Sequence, residues 1–238
     1  LNTPTNRDSS ITKPRVLITA GPTHEPIDQV RFIGNRSSGR LGIALATASA
    51  KRGWPTTLLL GPVSLPPPDH SSLRVLRFQT TDDLQRLLAA EWPGHDLLFM
   101  AAAVADYRVG RVHQSTSPQV KGDRGDQKLR RDPAGLTLEL VPTPDLLAGL
   151  ATTTRLDQAV VGWALEPADR LKESARDKLA RKHLHAIVAN PLETMDAPTI
   201  SAAVLLRDGS VLTPPNDLPK ATFAEWLLDQ VPTLATSR

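Results

Sequence analysis

Short apolar runs alternate with stretches of helical period along most of the chain. Val16 to Ile18 is a brief apolar run bounded by turn formers, the pattern of a strand buried on both faces of a parallel sheet. At Leu41 the period changes: Leu41, Ala44, Leu45 and Ala48 recur at i, i+3, i+4 and i+7, which predicts a helix ended by Lys51-Arg52-Gly53. Further strands are expected at Thr56 to Leu60, Leu73 to Phe78 and Asp96 to Ala101, with Pro62 to Ser72 a surface loop. Between the last two, Thr80 or Thr81 caps a helix that runs to Glu91, with Asp82 and Asp83 in its favourable first turn.

The second half reads similarly. Strands are expected at Leu136 to Leu140, Gln158 to Ala164 and Ala186 to Ala189. Thr143-Pro144-Asp145 opens a short helix with proline at its first position, and Asp169 caps a long helix to Lys182. Ala202 to Leu206 and Ser210 to Leu212 flank Asp208-Gly209 as a hairpin, and Phe223 to Val231 forms a closing helix. Val109 to Pro133 has no clear period and is rich in Gly, Pro, Ser and charge, so it is expected to be a mobile flap. Leu1 to Lys13 reads as a disordered, solvated tail, leaving residues 14–238 as one domain. The strand–helix rhythm predicts an α/β fold with a doubly wound, mainly parallel sheet, helices on both faces, and a C-terminal antiparallel hairpin.

Such a sheet binds ligands beyond the carboxyl ends of its strands, at the point where strand order reverses. Two segments are expected there. The first is the long polar detour from Gly21 to Gly39, which holds Thr23, Glu25, Asp28, Arg31, Asn35, Arg36, Ser37 and Ser38. Its Ser37-Ser38-Gly39 end offers hydroxyls and free N–H groups at a helix N-terminus, either as a phosphate cradle or simply as a helix cap. It is not a dinucleotide fingerprint, because the glycines are Gly34, Gly39 and Gly42. Nor is it a P-loop, since Arg40 and Leu41 stand where Lys and Ser/Thr belong. The second segment, Ala101 to Arg108, has three small residues, Ala101, Ala102 and Ala103, that permit close approach of a flat ligand. Its Asp106 is suited to ribose hydroxyls or a metal, or alternatively to capping a helix.

The basic run Lys128-Leu129-Arg130-Arg131 is either a solvated face or a cover for phosphates. Lys178 and Lys182 share a helical face, solvent-exposed on the plainest reading, and His183 and His185 are expected at the surface. There are no cysteines, which removes disulfides, thiolate nucleophiles and Cys-based zinc sites together. A net charge of +3 with only 4% aromatics argues against a nucleic-acid surface and is better suited to a polyphosphate substrate. The longest apolar run, Leu97 to Ala105, falls far short of the ~20 residues of a membrane span, no signal peptide is visible, and the cytosol is the default compartment.

The blocks ITAGPTHEPIDQVRFIGNRSSGRLG, AAAVADYR, QKLRRDP, TPDLL, VGWALEP and ARDKLARKHLHAIVAN together resemble phosphopantothenoylcysteine synthetase, from Arg15 to Val231. That domain of coenzyme A biosynthesis is in many bacteria fused behind a flavin-dependent phosphopantothenoylcysteine decarboxylase. The resemblance implies a Rossmann-like homodimer that joins 4′-phosphopantothenate to L-cysteine, using CTP to form an acyl-cytidylate. Mg²⁺ is implied, though not the residues that hold it, and no flavin is expected in this chain. It also implies that Asn35 holds the acyl-cytidylate, that Arg31 acts in its conversion, and that Lys128 is the flap lysine. Gly21, Ser37, Ser38, Gly39, Ala102, Ala103, Asp106, Thr143, Pro144, Asp145, Leu146, Trp163, Lys178 and Lys182 then surround the nucleotide. The chain departs from the family pattern at Gly34, Thr143, Trp163, Leu165, Pro167 and Arg130-Arg131, and throughout the stretch after Asn190. Two other functions are open to a fold of this class. An NAD(P)-binding oxidoreductase lacks its glycine fingerprint here and a Tyr-x-x-x-Lys pair, since Tyr107 is followed four residues on by Arg111. A non-catalytic nucleotide-binding homologue would keep the fold without turnover.

Overall fold

The computed structural model describes residues 13–114, 128–131, 133 and 135–236. The expected tail, apart from Lys13, and residues 115–127 and 132 of the expected flap lie outside them.

Strand β1 (Val16–Ala20) leads into a hairpin, β2 (His24–Pro26) and β3 (Phe32–Gly34), and then helix α1 (Arg40–Lys51). Next come β4 (Thr56–Leu60), β5 (Leu73–Arg77), α2 (Thr81–Glu91) and β6 (Leu97–Met100). A second hairpin, β7 (Tyr107–Gln114) and β8 (Leu136–Pro142), precedes α3 (Leu146–Ala151), β9 (Ala159–Glu166), α4 (Leu171–Arg181) and β10 (Ala186–Pro191). The chain ends with β11 (Thr199–Ile200), β12 (Ala203–Leu206), β13 (Val211–Leu212), β14 (Leu218–Pro219), α5 (Lys220–Asp229) and α6 (Val231–Thr236).

Eight strands form the central sheet in the order β13-β12-β10-β9-β6-β1-β4-β5. Pairing is parallel from β5 through to β10, and antiparallel pairing is confined to one edge, between β10 and β12 and between β12 and β13. Strand alternation divides the core into two layers. Val16, Ile18 and Ala20 point to the layer under α1 and α5, while Leu17 points to the layer under α2, α3 and α4. Strands β1, β4 and β6 are buried throughout, which is why their sequences read as apolar runs without alternation.

From β1 the chain moves outward to β4 and β5, then returns across β1 to place β6 on its other side. The order therefore reverses between β1 and β6, and the crevice beyond their carboxyl ends is the topological switch point. Helix α1 packs very close to β1: a Cβ at Gly42 would lie 2.4 Å from that of Ala20.

Several local expectations change. The expected flap begins as a regular strand, β7, paired with β8. Pro144 precedes the helix and Asp145 is its N-cap, so proline is not the first helical residue. The N-cap of α4 is Arg170, without a side-chain cap, and not Asp169. The closing helix starts earlier, at Lys220, and a second short helix follows it. His185 is buried, because its ring is drawn against β9. Among the described residues no helix is long and apolar enough to cross a membrane.

Candidate active site

The loops that follow β1 and β6 are stitched together past the ends of their strands. Ala103 N donates to Gly21 O (2.9 Å), Thr23 N donates to Ala103 O (3.2 Å), and Pro22 and Ala103 form a parallel bridge. The Thr23 hydroxyl accepts from Ala105 N at 2.9 Å, and Asn35 Nδ2 donates to Val104 O at 2.8 Å. The polar detour is thus partly internal adhesive. Glu25, only 2% exposed, accepts from both the N–H (2.8 Å) and the hydroxyl (2.7 Å) of Thr81 at the positive end of α2.

The N-cap of α1 is Gly39, in the left-handed region with φ 70°, and no side chain caps the helix. The Ser37 hydroxyl accepts from Gly39's own N–H, at 3.4 Å. Of the two readings open from sequence, the side-chain cap is therefore not made. A Cβ on Gly39 would lie 3.5 Å from Gly21 N, so these two glycines bring the start of α1 against the β1 loop.

On the β6 side lies a cleft of about 250 Å³, lined by Met100, Ala102, Val104, Ala105, Asp106, Thr143, Pro144, Asp145, Leu146, Leu147, Trp163 and Lys182. Most of the residues expected around the nucleotide meet here. The Thr143 hydroxyl donates to Ala105 O (2.5 Å) and its N–H to Asp106 O (2.9 Å), fastening the start of α3 to the β6 loop. Asp145 caps α3 through Ala148 N (3.1 Å) and pairs with Lys182 Nζ (3.0 Å). Burial works against its charge, but the Lys182 ammonium and the Ala148 N–H hold its carboxyl below the usual range. Glu166 is treated alike: burial opposes ionisation, while Lys178 (3.1 Å) and the Ser174 hydroxyl (3.0 Å) lower it. Lys178 in α4's last turn and Lys182 at its C-cap are thus partnered instead of simply solvated. Trp163 lies edge-on to Phe99, and its buried indole N–H has no partner among the described residues.

Arg31 and Lys128 do not line this cleft. They face a separate and larger hollow of about 980 Å³, with Val30, Leu129, Arg130, Arg131, Gly135 and Leu136. Arg31 and the Lys128 segment meet through the backbone, since Arg31 donates to Leu129 O at 2.9 Å. Asp28, read from sequence only as part of the polar detour, holds both: it pairs with the Arg31 guanidinium and accepts from Leu129 N at 3.0 Å. The four-residue span of Asp28-x-x-Arg31 was the available signal. Also unforeseen in the cleft were Met100 and Leu147, while Val104 and Ala105 belong to the expected second segment without having been singled out in it. Among the described residues no group of three or more His, Cys, Asp or Glu is placed to hold a metal ion.

Residues 11–234 match the family described as the DNA/pantothenate metabolism flavoprotein C-terminal domain. The coenzyme A biosynthesis bifunctional protein CoaBC of Escherichia coli K12 is 34% identical over 222 residues, which cover 92% of this chain and 51% of that protein. The protein of the same name from Vibrio cholerae is 41% identical over 176 residues, 74% of this chain and 41% of its own length. The chain spans about half the length of the curated relatives it matches. The crystal structure of the C-terminal domain of a CoaBC protein superposes with a TM-score of 0.73 at 30% identity, covering 93% of this chain and 95% of that one.

Proposed function

Because this chain belongs to the family of the DNA/pantothenate metabolism flavoprotein C-terminal domain, we propose that it is a ligase of coenzyme A biosynthesis joining 4′-phosphopantothenate to L-cysteine. The activating co-substrate in this reading is CTP. The observation that carries it is Asn35: the most family-like block of the sequence is fastened by that amide to Val104, a wall of the cleft where the expected nucleotide residues gather.

A carboxylate resists attack by an amine until one of its oxygens bears a phosphoryl leaving group. In the first step the phosphopantothenate carboxylate attacks the α-phosphorus of CTP, forming an acyl-cytidylate and releasing pyrophosphate. That step needs neutralised charge more than it needs an acid or a base. The uncapped start of α1 supplies N–H groups and the positive end of the helix dipole, with Ser37 and Ser38 beside it. Lys182 is already held at the cleft by Asp145, from which a triphosphate would draw it, and Lys178, one turn earlier on α4, is held by Glu166. Trp163 offers a buried N–H that has no partner among the described residues. Mg²⁺ would sit on the phosphates and keep much of its water shell, a mode of binding that asks little of the protein.

In the second step the cysteine amine attacks the acyl carbon, the C–O bond to CMP breaks, and the amine proton leaves to solvent. Asn35 gives one N–H to Val104 and has a second for the oxygen on which negative charge grows. Arg31 and Lys128 are the cations we assign to this step. They face a hollow separate from the cleft, and Val30, Phe32, Tyr107 and Leu140 are exposed on the two adjoining hairpins. We therefore extend the reading to a homodimer in which these cations complete a site together with the partner copy. A phosphopantothenoylcysteine decarboxylase, consuming the product, is the expected functional partner.

The test is pyrophosphate release with phosphopantothenate and CTP, ATP, UTP or GTP, with and without cysteine. Cysteine-independent release that is fastest with CTP is expected, with amide product only when cysteine is added. Lys128→Ala should lower turnover about a hundredfold at near-constant nucleotide affinity. A variant with normal turnover and weaker CTP binding would move Lys128 to ground-state binding.

A further inference from the structure

Asp28 sits on the turn between β2 and β3, and its side chain is only 1% exposed. One carboxylate oxygen accepts from the N–H groups of Val30 and Arg31, both at 2.8 Å. The other accepts from Arg31 Nε at 3.0 Å, from an Arg31 terminal nitrogen, and from Leu129 N at 3.0 Å. The same guanidinium then donates to Leu129 O at 2.9 Å. Both backbone polar groups of Leu129 are thus taken by one ion pair about a hundred residues away in sequence. Fixing the peptide frame of Leu129 fixes where the chain leaves Lys128.

Chemistry restricts this role to a carboxylate. Five donors converge on two acceptor oxygens; an amide has one, and would turn its own N–H groups toward either the turn or the guanidinium. The arginine is equally restricted, because it must reach a carboxylate and a carbonyl with separate N–H groups in one plane. Neither partner is exchangeable at constant geometry. The guanidinium beside it, followed by the backbone N–H bonds, holds the Asp28 carboxyl far below the usual carboxylate range, so it stays charged at any working pH.

We propose that Asp28 is a positioning residue for the ligation, setting the direction of Arg31 and the station of Lys128 through a clamp on the Leu129 backbone. This rests on the ligase reading above. It assigns Asp28 no contact with substrate; its effect reaches the reaction through the two cations.

The experiment compares wild type, Asp28→Asn, Arg31→Lys, Arg31→Ala and the Asp28→Asn/Arg31→Ala double variant. Two readouts are taken: hydrogen exchange of the Leu129 amide, and steady-state formation of amide product with cysteine-independent pyrophosphate release beside it. In Asp28→Asn the Leu129 amide should exchange about tenfold faster or more, and kcat for amide formation should fall about tenfold or more while KM for CTP barely moves. Arg31→Lys, which keeps the charge but not the fork, should loosen Leu129 in the same direction. Adding Arg31→Ala to Asp28→Asn should cost nothing beyond the larger single loss, since both act through one unit. Unchanged Leu129 exchange in a folded Asp28→Asn, additive losses in the double variant, or a loss confined to KM would each overturn the proposal. A wild type that releases no pyrophosphate with any of the four nucleotides overturns the ligase reading together with this one. An active wild type matched by Asp28→Asn overturns this one alone.

Discussion

His185 stands just before β10, where its N–H donates to Val160 O (3.0 Å) and its Nδ1 accepts from Val160 N (3.1 Å). An accepting Nδ1 requires a neutral ring. Burial, reinforced by the charge of Arg207, pushes the imidazole down to about 4 from its ordinary 6.5. Between those values the unfolded chain binds the extra proton and the folded one refuses it. Stability is therefore full above pH 6.5 and falls as pH drops toward 4. Urea unfolding between about pH 7 and about pH 4.5 should show this term, at most about 1.4 kcal/mol per pH unit, and His185→Gln should flatten that part of the acid slope. The spacing of His183 and His185, two apart at a helix end, leads to the expectation that both lie at the surface, and it carries no sign of the long-range contact with β9 that buries His185. Asp28 was obscure for a related reason. Its neighbours in sequence are visible, but Leu129 joins it only in the folded chain. Asn35, Arg31 and Ser37-Ser38-Gly39 stand out in the sequence because one continuous block carries them in the spacing of the family resemblance, and they enter the proposed mechanism on that ground.

At the scale of elements, β1 and α1 came directly from their apolar periods, and α2 from Thr80 with Asp83, which form a complete capping box. Strand β7 is not visible in the sequence pattern, where its residues read as part of an aperiodic flap. Its register slips between Val109 and Arg111, so the residues before and after that bulge change faces and the alternation cancels. A pattern rule that assumes one continuous pleat cannot detect such a strand. Packing between elements raises a different question at Gly42, where helix and strand nearly touch. Gly42→Ala replaces a flexible residue with a better helix former, yet its methyl would lie 2.4 Å from the Ala20 Cβ and 3.0 Å from Thr19 O. Overpacking should dominate, giving a loss of about 1–3 kcal/mol in the folding free energy by chemical denaturation. A neutral or stabilising result would mean that α1 can ride outward from β1, and with it the start of the helix that faces the crevice.

On the scale of the whole molecule, the two hairpins beyond the sheet carry apolar residues that the monomer leaves in water: Val30 at 61% exposure, Phe32 at 51%, Tyr107 at 55% and Leu140 at 44%. Burial of such a face between two copies is the expected outcome. Sedimentation should show a dimer, and Phe32→Asp should shift it toward monomer while far-ultraviolet circular dichroism stays unchanged. If Arg31 and Lys128 act on a site shared with the partner, amide formation should fall with the dimer fraction. By itself, the sequence determined the class of fold and the residues of the β1–α1 block, because burial on both faces of a parallel strand and one face of a helix imposes periods that survive in one dimension. Only the tertiary structure decided that the β1 and β6 loops interlock, that Lys178 and Lys182 are held by Glu166 and Asp145, and that Asp28 grips Leu129. Those contacts join residues far apart in the chain through single hydrogen bonds and ion pairs, which leave no periodic trace in the order of amino acids.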